Sequence, residues 1–461
     1  MTSLPYDVLC CVVARASTTC YHTLCISSRD FNAITTPLLY RDIWLDFPSQ
    51  FLDTIINSPK LGQHVVSLKF NTAISSQSVA SKLPPALRKM THLRHLSPPL
   101  YHDLKNHARD ILDALGELKE LDSVRIERPD AYEDNPIFDA LPPLKKIDID
   151  SSKSPIPRLE RLILRSIHTL EYLATEEYPL GVFLDRYGQG LAWPHMQSLR
   201  ASCLPALSIT RAFPALKLLH LSRQYPEPES MLWDETFFPS LDTLILSTIS
   251  ASLSTRPTSQ RKLAHLHLST LGIRRATTDA VPIAEFTKIM RCVDLSSLRS
   301  LNVHSSNPSD HKAIMIYLHT IFDHCSSLCF LRLVSWGSDP TSDPKAAIRN
   351  LLTWMSKLQQ LKFVHVELKD IYRRRDDEGY LDYVAESVPE VFSVHANLRV
   401  VELKMPEDAK AEFWQWTRRR TAAPAGSIDE PIIFRTLFGN YTEDQLPWDA
   451  STIAQLVDHA A

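Results

Sequence analysis

Chemistry needs particular side chains at particular spacings, and this chain offers few places to look for it. His265 and His267 stand two apart, so on a strand both rings leave from one side and could begin a zinc site. No third ligand follows at a suitable spacing. Asp148 and Asp150 repeat that spacing and could pair on a cation, yet they fall on a strand pattern whose outward face they would share. Cys10, Cys11, Cys20 and Cys25 lie near His22 without zinc-finger spacing, and Cys325 and Cys329 are a helical turn apart with no second pair, an arrangement of core thiols. Gly188-Gln189-Gly190 has no third glycine to bring backbone up to a phosphate. The chain holds no Gly-x-Ser-x-Gly elbow, no His-Glu-x-x-His and no Walker loop. The expectation is a non-enzyme: no catalytic residues, no metal and no cofactor.

Composition points the same way. Ten glycines among 461 residues is roughly a third of the usual share, too few for phosphate-cradling loops. A net charge of -3 gives no reason to expect nucleic acid or an anionic membrane surface. Arg373-Arg-Arg375 is balanced by Asp376-Asp-Glu378, and Arg418-Arg-Arg420 is a short run that weakly suits nuclear import. No stretch approaches the ~20 continuous apolar residues of a membrane span. The N-terminus carries Asp7 and no basic segment, so it does not read as a secretory signal. Reduced thiols and a cytoplasmic or nuclear location follow as expectations.

The elements that must position any site come from one recurring pattern: an apolar residue, two variable ones, then an apolar-x-apolar triplet. It occurs at Leu144-Lys-Lys-Ile147-Asp-Ile149, Leu159-Glu-Arg-Leu162-Ile-Leu164, Leu216-Lys-Leu-Leu219-His-Leu221, Leu241-Asp-Thr-Leu244-Ile-Leu246 and Leu263-Ala-His-Leu266-His-Leu268. Later copies start at Leu298, Leu328, Leu358 and Leu398, and looser ones at Val65, Leu93, Leu121, Leu170 and Met196. Starts at 144, 170, 196, 216, 241 and 263 are 20 to 26 residues apart, and later ones 30 to 40. The first range lies within the leucine-rich-repeat period, and the second is that period with longer outer segments. Leu159 follows Leu144 by only 15 residues, so one of them or a neighbour is not a true strand. In each triplet the flanking residues face inward and the middle one outward. One such strand has nowhere to bury its leucines, whereas stacked parallel copies make an apolar spine. Helical periodicity between strands, as in Ala313–Phe322 and Ile348–Met355, predicts an outer helical side. A leucine-rich α/β domain of ordinary topology is the alternative. Ala409–Arg420, with Phe413, Trp414 and Trp416, reads as a helix; residues 422–431 read as a linker, and Ile432–Ala461 as a cap or a partly disordered tail.

Residues 4–45 precede this array. Leu4-Pro5-Tyr6-Asp7-Val8-Leu9 puts Pro in a first helical turn and Asp7 against its dipole. Val8, Leu9, Val12 and Val13 share one side of that helix. Leu24 and Ile26 fall in a second helix and Arg29–Ile34 in a third, after which Pro37-Leu-Leu-Tyr40-Arg-Asp-Ile43 leads to an extended Trp44-Leu45. This module resembles an F-box, its second half being similar to those of fungal F-box proteins. The resemblance implies three helices that dock on the S-phase-kinase-associated adaptor of a cullin–RING (SCF-type) ubiquitin ligase. By position it implies a docking surface of Leu4, Pro5, Val8, Leu9, Val12, Ile26, Ser28, Pro37, Leu38 and Tyr40. Ala16, Cys20 and Ser27 stand where the family usually has Leu, an acidic residue and Val. The module could instead be a helical cap of the array.

The expected fold class is therefore α/β. A three-helix F-box (1–46) precedes a curved leucine-rich-repeat solenoid (47–405), with its parallel sheet on the concave side and helices outside, and a C-terminal region (406–461). Middle residues of the triplets are expected to line the concave face, as a mixed surface slightly basic towards its C-terminal half or as a generic solvated one: Asp148, Ile163, Arg200, His220, Ile245, His267, Asn302, Arg332, Lys362 and Glu402. Positions two earlier add Tyr172, Thr243, His265, Ser300, Phe330 and Gln360. Arg200, His220, His267, Asn302, Arg332 and Lys362 are the candidate client contacts, with Arg332 and Lys362 suited to an acidic or phosphorylated segment. Two functions fit this layout. One is a substrate receptor of the ligase with a client protein on the repeats; the other is a non-ligase scaffold with a degenerate F-box.

Overall fold

In the sequence pattern each leucine-initiated copy must first turn and then extend, and the backbone does both in the same way along the chain. The structure, a computed structural model, describes residues 6–16, 18–71, 77–98, 108–127, 136–150, 155–175, 180–187, 191–202, 213–222, 232–233, 235–247, 260–271, 281–305, 318, 322–334, 355–367, 397–398, 400–405, 412–417 and 432–436. By compactness the chain divides into two units, Met1–Pro214 and Ala215–Ala461.

The first unit opens with helices α1 (Tyr6–Arg15), α2 (Thr18–Ser27) and α3 (Arg29–Leu39). α3 runs on through Pro37, beyond the Ile34 that the sequence suggests, before strand β1 (Asp42–Leu45). Strands β2 (Ser67–Phe70), β3 (His95–Ser97), β4 (Ser123–Ile126), β5 (Lys146–Ile149), β6 (Tyr172–Thr175) and β7 (Ser198–Ala201) follow. Each pairs parallel with the next. Their register stacks Leu68, Leu96, Val124, Ile147, Leu173 and Leu199 into one column, every member no more than 3% exposed. Helices α4 (Pro48–Asn57), α5 (Pro59–Gly62), α6 (Gln77–Leu87), α7 (Ala108–Gly116), α8 (Ile137–Ala140), α9 (Pro157–Arg165) and α10 (Leu180–Tyr187) occupy the intervals. Gly62 packs so closely on the neighbouring segment that a Cβ there would lie 2.6 Å from the Lys89 carbonyl oxygen.

The ambiguous copy at Leu159 is α9. Its Leu159, Leu162 and Ile163 are buried at i, i+3 and i+4, one helical face, so Ile163 belongs to a helix core and to no strand face. A six-residue pattern with adjacent apolar residues fits both periods; Pro157 at the first helical turn decides it. On the same helix Glu160 is fully buried and meets Arg186 at 3.1 Å.

In the second unit β8 (Leu218–Leu221), β9 (Thr243–Leu246), β10 (His265–Leu271), β11 (Ser300–Ser305), β12 (Phe330–Val334), β13 (Phe363–Glu367) and β14 (Val400–Met405) again pair parallel in order. Helix α11 (Val281–Cys292) lies between β10 and β11. The predicted helix at 409–420 is instead a strand: β15 (Glu412–Thr417) runs antiparallel to β14, and β16 (Ile432–Thr436) antiparallel to β15. Phe, Trp and Trp at alternate or adjacent places favour an extended backbone, and the helical reading overlooked this. The predicted helices at 313–322 and 348–355 fall almost wholly outside the described residues, as do the linker and the chain after 436.

Two hydrogen-bond motifs repeat. At the entries of β2–β7 and β9–β13 one carbonyl accepts two consecutive amides of the next copy, for example Arg41 O from Val66 and Ser67, Asp122 O from Lys145 and Lys146, Ala264 O from Arg299 and Ser300, and Cys329 O from Lys362 and Phe363. Before it a tight turn returns the amide of the initiating residue to a carbonyl three residues back, as in Leu93 to Met90, Leu121 to Leu118 and Leu328 to Cys325. For Leu144 and Leu263 a serine hydroxyl from the next copy accepts the amide, Ser166 Oγ at 3.0 Å and Ser297 Oγ at 3.2 Å. Buried arginine adds a further tie, Arg261 donating to the carbonyls of Leu232 (3.0 Å) and Phe238.

Replacing Gly62 by Ala drives a Cβ into backbone that has no rotamer to yield. The expected outcome is a loss of about 1–3 kcal/mol, read as a lower urea midpoint with an unchanged slope. A midpoint equal to the parent's would show that the contact yields.

Candidate functional site

Two regions collect the candidate residues. In the N-terminal helices, α1 buries Leu9 (5% exposed) and Val13 (1%) while turning Tyr6 (61%), Val8 (42%) and Val12 (43%) to solvent. On α2, Ile26 is 73% exposed. Ser28 caps α3, its Oγ accepting the Phe31 amide at 3.2 Å. Pro37, Leu38 and Tyr40 are half-buried, and Tyr40 stacks on Phe51 with ring centroids 6.4 Å apart. Leu4 and Pro5 lie outside the described residues. Among the expected docking residues Leu9 is thus core, whereas Val8, Val12 and Ile26 are presented outward. The departures Cys20 and Ser27 are exposed and Ala16 is half-buried, with Ser27 Oγ donating to the Leu24 carbonyl at 2.7 Å. Exposed Trp44 and Phe47 were not singled out as contacts by the sequence; Lys69 Nζ sits 4.8 Å from the Trp44 ring centroid.

The second region is the strand face formed by the middle residues of the triplets. In the first unit the register aligns Trp44, Lys69, Ser97, then Arg125, Asp148, Ala174 and Arg200. Arg125 lies 3.9 Å from Asp148 and 3.7 Å from Asp150, and Lys69 meets Glu127 at 3.2 Å. The Asp148–Asp150 pair therefore answers a guanidinium, and among the described residues no group of three His, Cys, Asp or Glu side chains could hold a metal ion. Arg200 is half-buried.

In the second unit one row reads His220, Ile245, His267, Asn302, Arg332, His365 and Glu402. Lys362 is not in it. The sequence pattern starting at Leu358 is three residues early: Leu361 donates its amide to Leu358 as Leu328 does to Cys325, and Lys362 matches Cys329 just before the strand. His365 therefore stands where Lys362 was expected, and Phe363 where Gln360 was. Nor is this face a solvated one. Asn302 and His365 are 1% exposed, Ser300 3%, Thr243 5% and His265 7%, while His220, His267 and Arg332 are half-buried. His220 Nε2 meets Ser247 Oγ at 2.7 Å.

Burial, reinforced by the positive Arg332 and by His220 and His304, pushes the His267 imidazole down to about 3. Cys325 is a core thiol, as its spacing suggested: burial raises it to about 12, which keeps it from reacting as a thiolate. Among the described residues no helix is long and apolar enough to cross a membrane.

Because His267 titrates near 3 when folded and near 6.5 when not, the unfolded chain takes the proton first as pH falls. Its contribution to stability is therefore intact above about pH 6.5 and is lost progressively below it. Denaturant midpoints should drop between pH 7 and pH 5, and drop less in His267→Gln. Equal drops would show that His267 is not held neutral. Compared with known proteins, the chain matches no family model and no curated protein sequence.

Proposed function

We propose that the chain is a substrate-recognition adaptor of a cullin–RING (SCF-type) ubiquitin ligase. Its N-terminal helices act as an F-box that binds the S-phase-kinase-associated adaptor and through it the cullin. Its strands form a leucine-rich-repeat solenoid whose concave face holds a client protein. The observation that carries the reading is the outward set Tyr6, Val8, Val12 and Ile26 on a small helical module whose own core is already filled by Leu9 and Val13. Large apolar side chains in water each forgo about 1.5–3 kcal/mol of burial, and Val8 and Val12, four apart on α1, share one outward face. Their positions are those the F-box resemblance assigns to docking, with Tyr6 added.

On this reading the chain does no covalent chemistry. It holds a client near the charged conjugating enzyme, and the gain is effective concentration at the client's lysines. Client contacts would come from Arg200, His220, His267, Asn302, Arg332 and Lys362, the first five on the strand faces and Lys362 at a strand entry. The place of action would be the cytoplasm or nucleus.

The test uses Val8→Asp with Val12→Asp, both outward, in place of Leu9→Ala, whose buried site confuses unfolding with lost docking. Full-length chain should capture purified ligase adaptor, and the double variant, at an unchanged melting temperature, should not. Equal capture by both would place docking elsewhere, and no capture by the parent would leave the scaffold reading.

A further inference from the structure

The first strand of the sheet has one side without a neighbour. Among the described residues β1 (Asp42–Leu45) pairs with β2 and with no other strand. The carbonyls of Arg41 and Leu45 accept the amides of Ser67 and Asn71, at 2.9 and 3.1 Å. Only alternate residues of a strand bond to a given neighbour, so the N–H and C=O of Asp42 and Trp44 point away from β2. Arg41, Asp42 and Trp44 are exposed and Ile43 is half-buried, so this edge meets solvent. Such a row of main-chain donors and acceptors is a template for another strand. Trp44 is 67% exposed and Phe47, just past the strand, 83%, which sets two aromatic rings beside the row.

We propose that β1 is a docking edge for an extended segment of a partner protein in which basic and apolar residues alternate. The segment pairs antiparallel, the more stable form per residue, and exchanges main-chain bonds with Asp42 and Trp44. Its basic residues stand directly opposite these two, and its apolar residues lie beside Ile43 on the other face. The inference does not rest on the ligase reading; it adds a second docking surface to the first unit.

The side chains of β1 select that chemistry. Residues 42 and 44 share one face of the strand and residue 43 the other. Across a strand pair a carboxylate favours a cation and opposes another anion. Asp42 has Arg41 at 3.8 Å, both side chains at least 60% exposed, a contact worth little in water. Asp46, next on the same face, is exposed and adds a second carboxylate, its Oδ1 accepting from Asn71 Nδ2 at 2.9 Å. The Trp44 ring already draws one cation, Lys69 Nζ at 4.8 Å from its centroid, and most of the residue remains in water to receive another. On the opposite face Ile43 gains cover from an apolar neighbour. An acidic segment would stand against Asp42, and an isolated cation would leave the main-chain row hydrated.

The experiment measures, by fluorescence anisotropy, binding of a short fluorescein-labelled peptide of alternating Arg and Val to the full chain. Comparisons are a Glu-Val peptide and two Arg-Val peptides, one N-methylated at every Arg and the other at every Val. The Arg-Val peptide should bind and the Glu-Val peptide should not. Methylating the arginines removes the donors that face β1 and should abolish binding. Methylated valines, whose N–H points to the far edge, should be tolerated. Trp44→Ala and Asp42→Asn, both at exposed sites, should melt with the parent and each weaken binding by about two- to fivefold. No binding to the parent, equal binding of the Glu-Val peptide, or equal affinity for the two methylated peptides overturns the proposal. So does undiminished binding in both variants, which would put an electrostatic contact elsewhere on the chain.

Discussion

The structure depends on one carbonyl doing double duty. A peptide oxygen has two lone pairs, and at strand entry after strand entry both are used, by two successive amides of the next copy. Arg41, Val66, Arg94, Asp122, Lys145 and Glu171 supply such carbonyls in the first unit, and Lys217, Asp242, Ala264, Arg299 and Cys329 in the second. A strand has period two, so slipping by one residue would turn every leucine to the wrong side. The bifurcated bond sets the register before the strand begins. Side-chain identity at these places is free, as the mixture of Arg, Val, Asp, Lys, Glu, Ala and Cys shows.

With register set by main chain, side chains are left two tasks. Inward leucines fill the column and exclude water. Elsewhere, polar groups close the backbone valences that a varied outer segment leaves open: Ser166 and Ser297 where a turn is missing, Arg165 donating to the carbonyls of Phe138, Asp139 and Leu141, and Arg261 to those of Leu232 and Phe238. The middle residues of the triplets and those two places earlier are excused from both tasks, and there the two units differ. The first pairs opposite charges in the open; the second buries His265, Ser300, Asn302 and His365.

Most strand frames could be read from the leucines alone, because the apolar-x-apolar alternation and the turn before it fall in fixed order. The failures occurred where two frames fit equally. Leu358-Gln-Gln-Leu361-Lys-Phe363 and Leu361-Lys-Phe-Val364-His-Val366 satisfy the same pattern, and only the turn from Met355 through Leu358 to Leu361 chooses the second. Leu159–Leu164 fits a helix as well as a strand, and the strand at 412–417 was hidden by charged neighbours of helical type. The N-terminal helices were legible by position, though which valines point outward needed the packing of α1 on α3. The burial of Asn302 was not legible at all, since burial is set by neighbours thirty and more residues away in sequence.

The bifurcated carbonyls also determine how such a chain bears mechanical load. Within either unit the bonds between copies lie across the strands, so tension along the strand order pulls on them one row at a time and never on many rows in shear. A strand stack of this kind yields stepwise, releasing one copy's length of chain at each event and leaving its neighbours seated. Buried ties such as Arg261, which join outer segments to strand entries, are then the points where each step must do its work.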